Sequence, residues 1–360
     1  MNGIDKIKDE AMYDVLKILA PGTLLREGLE NILKARTGAL IVIGDSKKVL
    51  NLVDGGFYIN KDYSPAHIYE LAKMDGAIIL SKDLKKILYA NALLIPDTKI
   101  PTDETGTRHK TADRVAKQTG EVVLGISQRR NIITLYMDVG KYILRETSVI
   151  LGEANQALQT LEKYKTVLED AVNNLSLLEI EGIVTLDDVA FALQRSGMVM
   201  GVAAEVERYI CELGSEGRLL SMQLDELLSG VDEDGILMIE DYAQDADGNL
   251  QKILEGIRTL SYDSLMDLRN ICSILGYDKE YDIFDTTVYP KGYRLLSRVP
   301  RIPASIVKKL VQRFSNLQEI LNASPKELNE VEGIGEIRSR LIRESLGRIQ
   351  EQIFLDARRM

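Results

Sequence analysis

The feature that most constrains the fold is a change in the spacing of apolar residues near residue 147. Before it, short apolar runs alternate with segments whose apolar residues recur at helical intervals. Short apolar runs are typical of buried strands, whereas a spacing of three or four residues is typical of helices. After residue 147 only the helical spacing continues, to about residue 281. The pattern therefore predicts an α/β domain followed by an all-α region.

The connections between the predicted strands indicate a mixed sheet. Helices are predicted after Thr23, over Ser64–Lys73 and over Thr107–Thr119, and the strands at 39–44, 49–53, 76–80, 87–90, 122–127 and 132–137. Several strands are joined by short turns, which fits a mixed sheet better than a purely parallel arrangement. Neither the P-loop pattern nor the dinucleotide-binding glycine pattern occurs in this region. Any ATP is therefore held by a different set of loops.

Composition and charge narrow the class of protein. Hydrophobic residues make up 45% and charged residues 28% of the 360 residues, which is typical of a globular chain of two or three domains. The longest apolar run, at 39–43, is too short to cross a bilayer, so no membrane partner is expected. The two cysteines are far apart, which favours reduced thiols and a cytoplasmic location.

The net charge of −10 argues against a protein coated with nucleic acid along its whole length. The stretch 298–350, however, has ten basic and six acidic residues. Any contact with nucleic acid is therefore expected at the C-terminal end.

A cluster of cationic and hydroxyl side chains stands out in the α/β domain. Arg108, His109 and Lys110 lie between Thr107 and Thr111, at the predicted start of a helix, where Thr107 is the predicted N-cap. Backbone N–H groups, the helix dipole and the cations would converge on one point, which suits an oligophosphate. Upstream, the segment MDGA puts the carboxylate of Asp75 on a tight turn at Gly76, where it could ligate the magnesium of a nucleotide.

Each of these residues has a simpler interpretation when taken alone. Asp75 and Gly76 could form an ordinary β-turn, His109 could be structural, and Arg108 and Lys110 could be a solvated helix face. The two histidines, with no nearby cysteine, do not suggest a zinc site. The combination is more informative, because a second polar cluster, Ser127–Arg130, follows a predicted strand, and strand ends are where ligand sites of α/β domains gather.

The pairing of MDGA with Thr-Arg-His-basic-Thr resembles the diadenylate cyclase family. The resemblance implies that Asp75 ligates a catalytic Mg²⁺ or Mn²⁺ and that Arg108, His109 and Lys110 grip nucleotide phosphates. Lys110 replaces the family's arginine, so the charge is kept but the bidentate fork is lost. The other nucleotide-binding positions implied are Gly76, Leu94, Thr107, Thr111, Ser127 and Arg130.

The resemblance also implies the reaction and the assembly. Two ATP molecules condense into cyclic di-AMP with loss of two pyrophosphates, each 3′-hydroxyl attacking the other nucleotide's α-phosphorus. A symmetric product requires two domains face to face, so a homo-oligomer is expected, an octamer by the family's example. The family places a helical linker after the cyclase domain, which here is the region 147–288.

The C-terminal region carries the pattern of a helix-hairpin-helix unit. A capping box at Ser324–Glu327 starts one helix, and Gly333-Ile334-Gly335 separates it from the next. Such a turn can present backbone N–H groups to a DNA phosphate without specifying sequence. A degenerate first copy of the same helix-hairpin-helix motif follows Arg301, so the two copies together would form a tandem unit. The expected DNA-binding residues are Gly333, Gly335, Arg338, Arg340, Arg301 and Lys308, although a tight connector and a solvated face are the simpler alternatives.

Together these patterns predict three domains: a mixed-sheet α/β cyclase domain over 1–146, an all-α linker over 147–288, and a tandem helix-hairpin-helix domain over 289–360. The chain is expected to be a cytoplasmic, nucleoid-associated diadenylate cyclase that senses branched DNA such as Holliday junctions. That sensing would lower cyclase output in a DNA damage checkpoint linked to repair. Two alternatives stay open, a non-enzymatic adaptor for branched DNA and a nucleotidyltransferase that modifies a protein.

Overall fold

The computed structural model describes residues 3–245, 248–278 and 282–357, and the chain within them forms two compact units. The first unit runs from the N-terminal helix to Asn155 and includes Glu207–Ser221. The second comprises Gln156–Val206 and the chain after Ser221. The outer ends of the predicted first and third domains, residues 1–2 and 358–360, lie outside the described residues.

The first unit contains one eight-stranded mixed sheet, which confirms the predicted fold class of the N-terminal domain. The strands are β1 Ala39–Ile43, β2 Val53–Asp54, β3 Phe57–Asp62, β4 Ala77–Leu80, β5 Lys86–Leu94, β6 Val122–Ser127, β7 Ile132–Met137 and β8 Gly140–Ile143. The strand order is β2-β5-β4-β1-β6-β7-β8, with β3 paired to β5. Only β1 and β4 are parallel among the pairs described. The helices are α1 Gly3–Leu19, α2 Leu24–Lys34, α3 Lys47–Leu50, α4 Pro65–Leu71 and α5 Thr107–Thr119.

Both faces of the sheet are covered, because alternate residues of its central strands point to opposite sides. Ile41 and Ile43 of β1 belong to a core that also contains Leu29 of α2 and Ile68 of α4. Leu40 and Val42 belong to a second core, which includes Ala112, Val115 and Ala116 of α5. Helix α5, which carries the cationic cluster, is thus fixed to the sheet by its apolar stripe.

The sequence-based prediction was wrong at 49–53, which was expected to be a strand. Lys47–Leu50 forms the short helix α3, and β2 begins only at Val53. The buried residues here are Val49 and Leu52, three positions apart, whereas Lys47 and Lys48 are exposed. A spacing of three suits one side of a helical turn, not the alternation of a strand. The predicted boundaries of the strands at 39–44 and 87–90 were also inexact, and three elements, α1, β3 and β8, were not predicted.

Beyond the first sheet the described residues contain helices and no further strand, apart from one isolated bridge between Thr185 and Thr287. This agrees with the predicted all-α region. The helices are α6 Thr147–Glu181, α7 Leu186–Leu213, α8 Arg218–Leu228, α9 Val231–Tyr242, α10 Leu250–Arg258, α11 Tyr262–Met266, α12 Leu268–Ile274, α13 Tyr293–Ser297, α14 Ala304–Arg313, α15 Leu317–Asn322, α16 Pro325–Asn329 and α17 Glu336–Ala357. The division of this region at residue 288 stays a prediction, because both sides of it lie in the second unit. None of the described helices combines the length and the apolar character needed to cross a membrane.

Candidate active site

A cavity with a volume of about 770 Å³ lies at one edge of the sheet in the first unit. The strand register explains its position. Leu40 of β1 pairs with Ala77 of the parallel strand β4, and the antiparallel strands β5 and β6 place Ala92 and Gly125 at the same level. The starts of β1 and β4 therefore meet the ends of β5 and β6 at this edge.

Seven of the ten predicted nucleotide-site residues line this cavity: Gly76, Leu94, Thr107, Arg108, His109, Thr111 and Ser127. The other three, Asp75, Lys110 and Arg130, do not line it, although each neighbours a lining residue in sequence. The lining also includes residues that the sequence did not single out as ligands: Leu40, Ala77, Ala92, Leu93, Gly106, Gln128 and Arg129.

Helix α5 opens towards the cavity without a side-chain cap. Its N-cap is Gly106, whose φ of −86° and ψ of 143° are extended, and no side chain accepts a hydrogen bond from the first turn there. The prediction that Thr107 is the N-cap was wrong by one residue, because Thr107 is already helical. The hydroxyl of Thr107 consequently remains a cavity-lining group, and the uncapped N-terminus is suited to an anion.

The guanidinium of Arg108 is held against the end of β6. Its Nη1 lies 3.5 Å from the backbone oxygen of Ile126, to which it donates. A Cβ on Gly38 would come within 2.0 Å of that same nitrogen, so the absence of a side chain at Gly38 creates the space that Arg108 occupies. Gly38 was not identified from the sequence as part of the site.

His109 is fixed by two neighbouring strands. Its Nδ1 lies 2.8 Å from the hydroxyl of Tyr136 on β7, and a Cβ on Gly125 of β6 would come within 2.9 Å of the same nitrogen. Burial lowers the pKa of His109, and the positive charges of Arg108, Arg130 and Lys141 lower it further, while Glu104 opposes them. Burial therefore favours the neutral ring, Nδ1 is engaged by Tyr136, and His109 lines the cavity.

The Tyr136 hydroxyl has an anionic neighbour, the carboxylate of Glu104. Glu104 forms an ion pair of 2.7 Å with Lys141 of β8, and this hydrogen bond is the main reason that the pKa of Glu104 is lowered. Burial and the charge of Glu104 raise the pKa of Tyr136, so its hydroxyl keeps its proton. Glu104, Tyr136 and Lys141 were not identified from the sequence.

The turn between β6 and β7 and the turn before β4 are both tightly built. Ser127 accepts a hydrogen bond of 3.2 Å from the backbone N–H of Arg130, so its hydroxyl already stabilises the turn. Gly76 has a φ of +91°, and a Cβ there would come within 2.8 Å of the backbone carbon of Asn91. Gly76 therefore permits β5 to approach, and the exposed Asp75 precedes it at the cavity edge.

The predicted DNA-binding segment is a separate feature of the second unit. The capping box predicted at Ser324 and Glu327 is confirmed, and Gly333 has a φ of +89°. Arg338 donates from Nη1 to the backbone oxygen of Gly333 at 2.6 Å, and Arg340 lies 3.9 Å from Glu336. These two arginines thus have partners within the chain.

The remaining predicted DNA-binding residues surround α14. Arg301, with a φ of +64°, and Lys308 are exposed before and on this helix. Gly335, unlike Gly333, has no positive φ. A Cβ on Gly333 would come within 2.7 Å of Ile306, so the turn packs closely against α14. This packing brings the two predicted copies of the motif together.

Two family models match the chain. The model described as the DisA bacterial checkpoint controller nucleotide-binding domain matches residues 26–140, and the DisA bacterial checkpoint controller linker region matches residues 144–284. The first match contains the whole cavity lining. The second begins close to the predicted domain boundary at residue 147.

Curated relatives match along the full chain. The chain is 71% identical over 360 residues to the DNA integrity scanning protein DisA of Acetivibrio thermocellus, with 100% of each chain covered. It is 59% identical over 349 residues to the protein of the same name from Clostridium kluyveri, covering 97% of this chain and 98% of the relative.

Among solved structures, DacA from Staphylococcus aureus is 20% identical, with a TM-score of 0.30 over 39% of this chain and 92% of that one. A hypothetical membrane spanning protein from Bacillus cereus is 18% identical, with a TM-score of 0.31 over 34% and 62%.

Proposed function

This chain belongs to the DisA family of bacterial checkpoint controllers and is a diadenylate cyclase; from this premise we propose how its residues carry out the reaction. Two ATP molecules, each bound to one copy of the chain, condense into cyclic di-AMP and two pyrophosphates. The two cavities face one another across a subunit interface, within a homo-oligomer that we expect to be an octamer. Each 3′-hydroxyl then attacks the α-phosphorus of the opposite nucleotide.

The observation that supports these roles best is the uncapped start of α5 beside Arg108 at the cavity. Phosphoryl transfer depends mainly on positioning and on charge neutralisation around the phosphorus. The N–H groups of the first turn and the Arg108 guanidinium supply fixed positive potential, and Thr107 and Thr111 add hydroxyl donors. Leu40, Leu93 and Leu94 give the cavity an apolar wall suited to a base.

Lys110 and Arg130 have a less direct part in this proposal. Neither lines the cavity, so we assign them to the approach of the phosphates or to the facing subunit's nucleotide. Ser127 acts chiefly through the turn that it stabilises. Lysine in place of the family's arginine at position 110 should therefore weaken phosphate binding less than it would if that side chain had to form a bidentate contact.

A divalent metal, Mg²⁺ or Mn²⁺, fits the residues present. No group of three or more metal-ligating side chains occurs among the described residues, which agrees with a metal held by one carboxylate together with nucleotide phosphates. Asp75, exposed beside the cavity, would be that carboxylate. The metal would supply charge neutralisation at the reacting phosphoryl group.

Incubation of the full chain with ATP and Mg²⁺ or Mn²⁺, followed by chromatography, tests the proposal. We expect cyclic di-AMP and pyrophosphate from the wild-type chain and no cyclic product from Asp75→Asn, with an unchanged circular dichroism spectrum. The matched control is Asp45→Asn, since Asp45 follows β1 at the opposite edge of the sheet. Normal activity of Asp75→Asn would exclude the metal-ligand role, and ATP label transferred to protein would favour the protein-modifying alternative.

We further propose that the C-terminal helices bind branched DNA through its backbone. The turn at Gly333 and Gly335 would face one phosphate, while the exposed Arg301 and Lys308 would contact others. Arg338 and Arg340 would act mainly by holding the turn and the start of α17, because both have partners there. The ion pair of 3.0 Å between Lys309 and Glu332 lies in the same region.

Binding to a four-way junction at several salt concentrations tests this second proposal. Loss of one phosphate contact, as in Lys308→Ala, should weaken binding and reduce the salt slope by about 1. Lys34→Ala, an exposed lysine on α2 of the first unit, is the control. An unchanged slope in Lys308→Ala would remove that contact from the proposal. We also expect the bound junction to lower cyclase output, and equal rates with and without it would exclude this coupling.

A further inference from the structure

Tyr136 is a buried residue outside the predicted site, with a hydroxyl directed at one of the site's side chains. It is 1% exposed, and its ring packs in the core between the sheet and α5. Its hydroxyl meets Nδ1 of His109 at 2.8 Å. Packing alone does not require the Tyr136 hydroxyl, because phenylalanine would fill the same space.

The surroundings of the hydroxyl determine which way its proton points. The Glu104 carboxylate and the Thr134 hydroxyl both hydrogen-bond to it; an ionised carboxylate can only accept, whereas the Thr134 hydroxyl can donate. Lys141 holds Glu104 in its ionised form through the ion pair of 2.7 Å. The favoured arrangement has the Tyr136 proton directed at Glu104, and the Tyr136 oxygen then accepts from Nδ1–H of His109.

Steric contacts hold the imidazole ring of His109 in the orientation that this hydrogen bond requires. The missing side chain at Gly125 lets the imidazole lie directly against β6, and Tyr136 bounds it from β7. The His109 and Tyr136 rings lie 6.0 Å apart between centroids, at 51°. One nitrogen of the His109 ring is therefore occupied, and the residue lines the cavity.

We propose that Tyr136, oriented by the Glu104–Lys141 ion pair, is a positioning residue that fixes the tautomer and orientation of His109 for the cyclase reaction. The neutral ring then carries its proton on Nδ1 and offers Nε2 to the nucleotide. When a phosphate approaches and Nε2 takes up a proton from solvent, the negative charge of Glu104 stabilises the resulting imidazolium through the hydroxyl, as a carboxylate does for a catalytic histidine. This inference rests on the proposed role of His109 at the nucleotide.

The first test is kinetic and uses Tyr136→Phe and Glu104→Gln in the full chain. We expect kcat to fall about tenfold in each, as is found when an outer partner of a functional histidine is removed. The KM for ATP should change less than about twofold, since Arg108 and the α5 N-terminus still bind the phosphates. Tyr63→Phe is the matched control, because it removes the hydroxyl of a half-buried tyrosine that donates to the backbone oxygen of Leu24 at 3.2 Å, and neither residue lines the cavity.

The second test detects the histidine directly and needs no activity. The chain has only two histidines, so ¹⁵N-histidine labelling gives two sets of signals, and His67→Gln assigns them. We expect the Nδ1–H tautomer of His109 in the wild-type chain and a mixture of tautomers in Tyr136→Phe. Glu104→Gln should lower the pKa of His109, because it removes the one charge that raises it.

The outcomes separate this inference from the proposed function. A wild-type chain that makes no cyclic di-AMP would contradict the proposed function, whatever the tautomer. Wild-type kcat in both variants, or an Nε2–H tautomer in the wild-type chain, would overturn the inference while leaving the cyclase intact. Thermal unfolding identifies a variant that fails to fold, and if Tyr136→Phe fails, Glu104→Gln decides.

Discussion

Two glycines, Gly38 just before β1 and Gly125 within β6, provide the space in which Arg108 and His109 lie. Gly38 makes room for Arg108 and Gly125 makes room for His109, although the sequence cluster containing these side chains lies on α5. The cluster itself was visible in the sequence because its residues are contiguous. The role of the two glycines could not be predicted from the sequence, because it depends on how the strands pair. A glycine inside the apolar run of β6 is nevertheless a recognised sign that a backbone or a ligand approaches closely.

This arrangement predicts the effect of Gly38→Ala. The new Cβ would overlap Nη1 of Arg108, the far end of a flexible side chain that can be displaced, and it would lie 3.1 Å from the backbone oxygen of Ile126, which requires a shift of a few tenths of an ångström. We expect the KM for ATP to rise about tenfold, corresponding to loss of roughly one charge-assisted hydrogen bond. The unfolding temperature should change little.

Gly152→Ala is the control for that substitution, since a Cβ there meets no atom within 4 Å. It lies on helix α6, where alanine is favoured over glycine, so we expect unchanged kinetics and a slightly higher unfolding temperature. A normal KM in Gly38→Ala would mean that Arg108 does not bind the nucleotide from its observed position.

At the scale of secondary-structure elements, the central strands could be predicted and the edge strands could not. Strand β1 is buried at all five positions, so it appears in the sequence as an uninterrupted apolar run. Strand β3 is exposed at five of its six positions and β8 at three of four, so neither shows the alternation of apolar and polar residues that is typical of a half-buried strand. Hydrogen bonds to their neighbours, not burial, determine these strands.

The contacts of charged residues that are buried between helices could not be predicted from the sequence either. Arg294 of α13 is 0% exposed, and it donates to Ser176 at 2.9 Å and to Glu179 at 2.5 Å, both on α6. Asp241 of α9 accepts from three consecutive backbone N–H groups at the start of α13, beginning with Gly292. These partners are more than fifty residues away in sequence, so no local pattern indicates them.

The buried ion pair leads to a prediction for Arg294→Met. Removing the guanidinium leaves Glu179 buried and charged, with only Tyr242 as a described side-chain partner, which should cost about 3–5 kcal/mol of unfolding free energy. Urea unfolding followed by circular dichroism measures it. Arg313→Met, which breaks an exposed pair with Glu330, should cost no more than about 1 kcal/mol. Equal costs in the two variants would contradict the structural role of Arg294.

At the scale of the whole molecule, the proposed nucleotide cavity lies open at one edge of the sheet. Cyclic di-AMP contains two identical linkages, so the same chemistry must act on each nucleotide. Two copies of one cavity, related by a two-fold axis, meet this requirement with one set of residues.

Mixed assemblies of wild-type and Asp75→Asn chains test this arrangement. If each cyclic product needs two competent copies, co-assembly in equal amounts leaves about one quarter of the pairs fully wild-type, so cyclic di-AMP should fall to about one quarter. Mixed pairs should form one linkage and release a linear dinucleotide. An active site complete within one chain would instead give about one half and no linear product. Co-expression with two affinity tags gives the mixed assemblies, chromatography counts both products, and co-assembly with Asp45→Asn should retain the full rate.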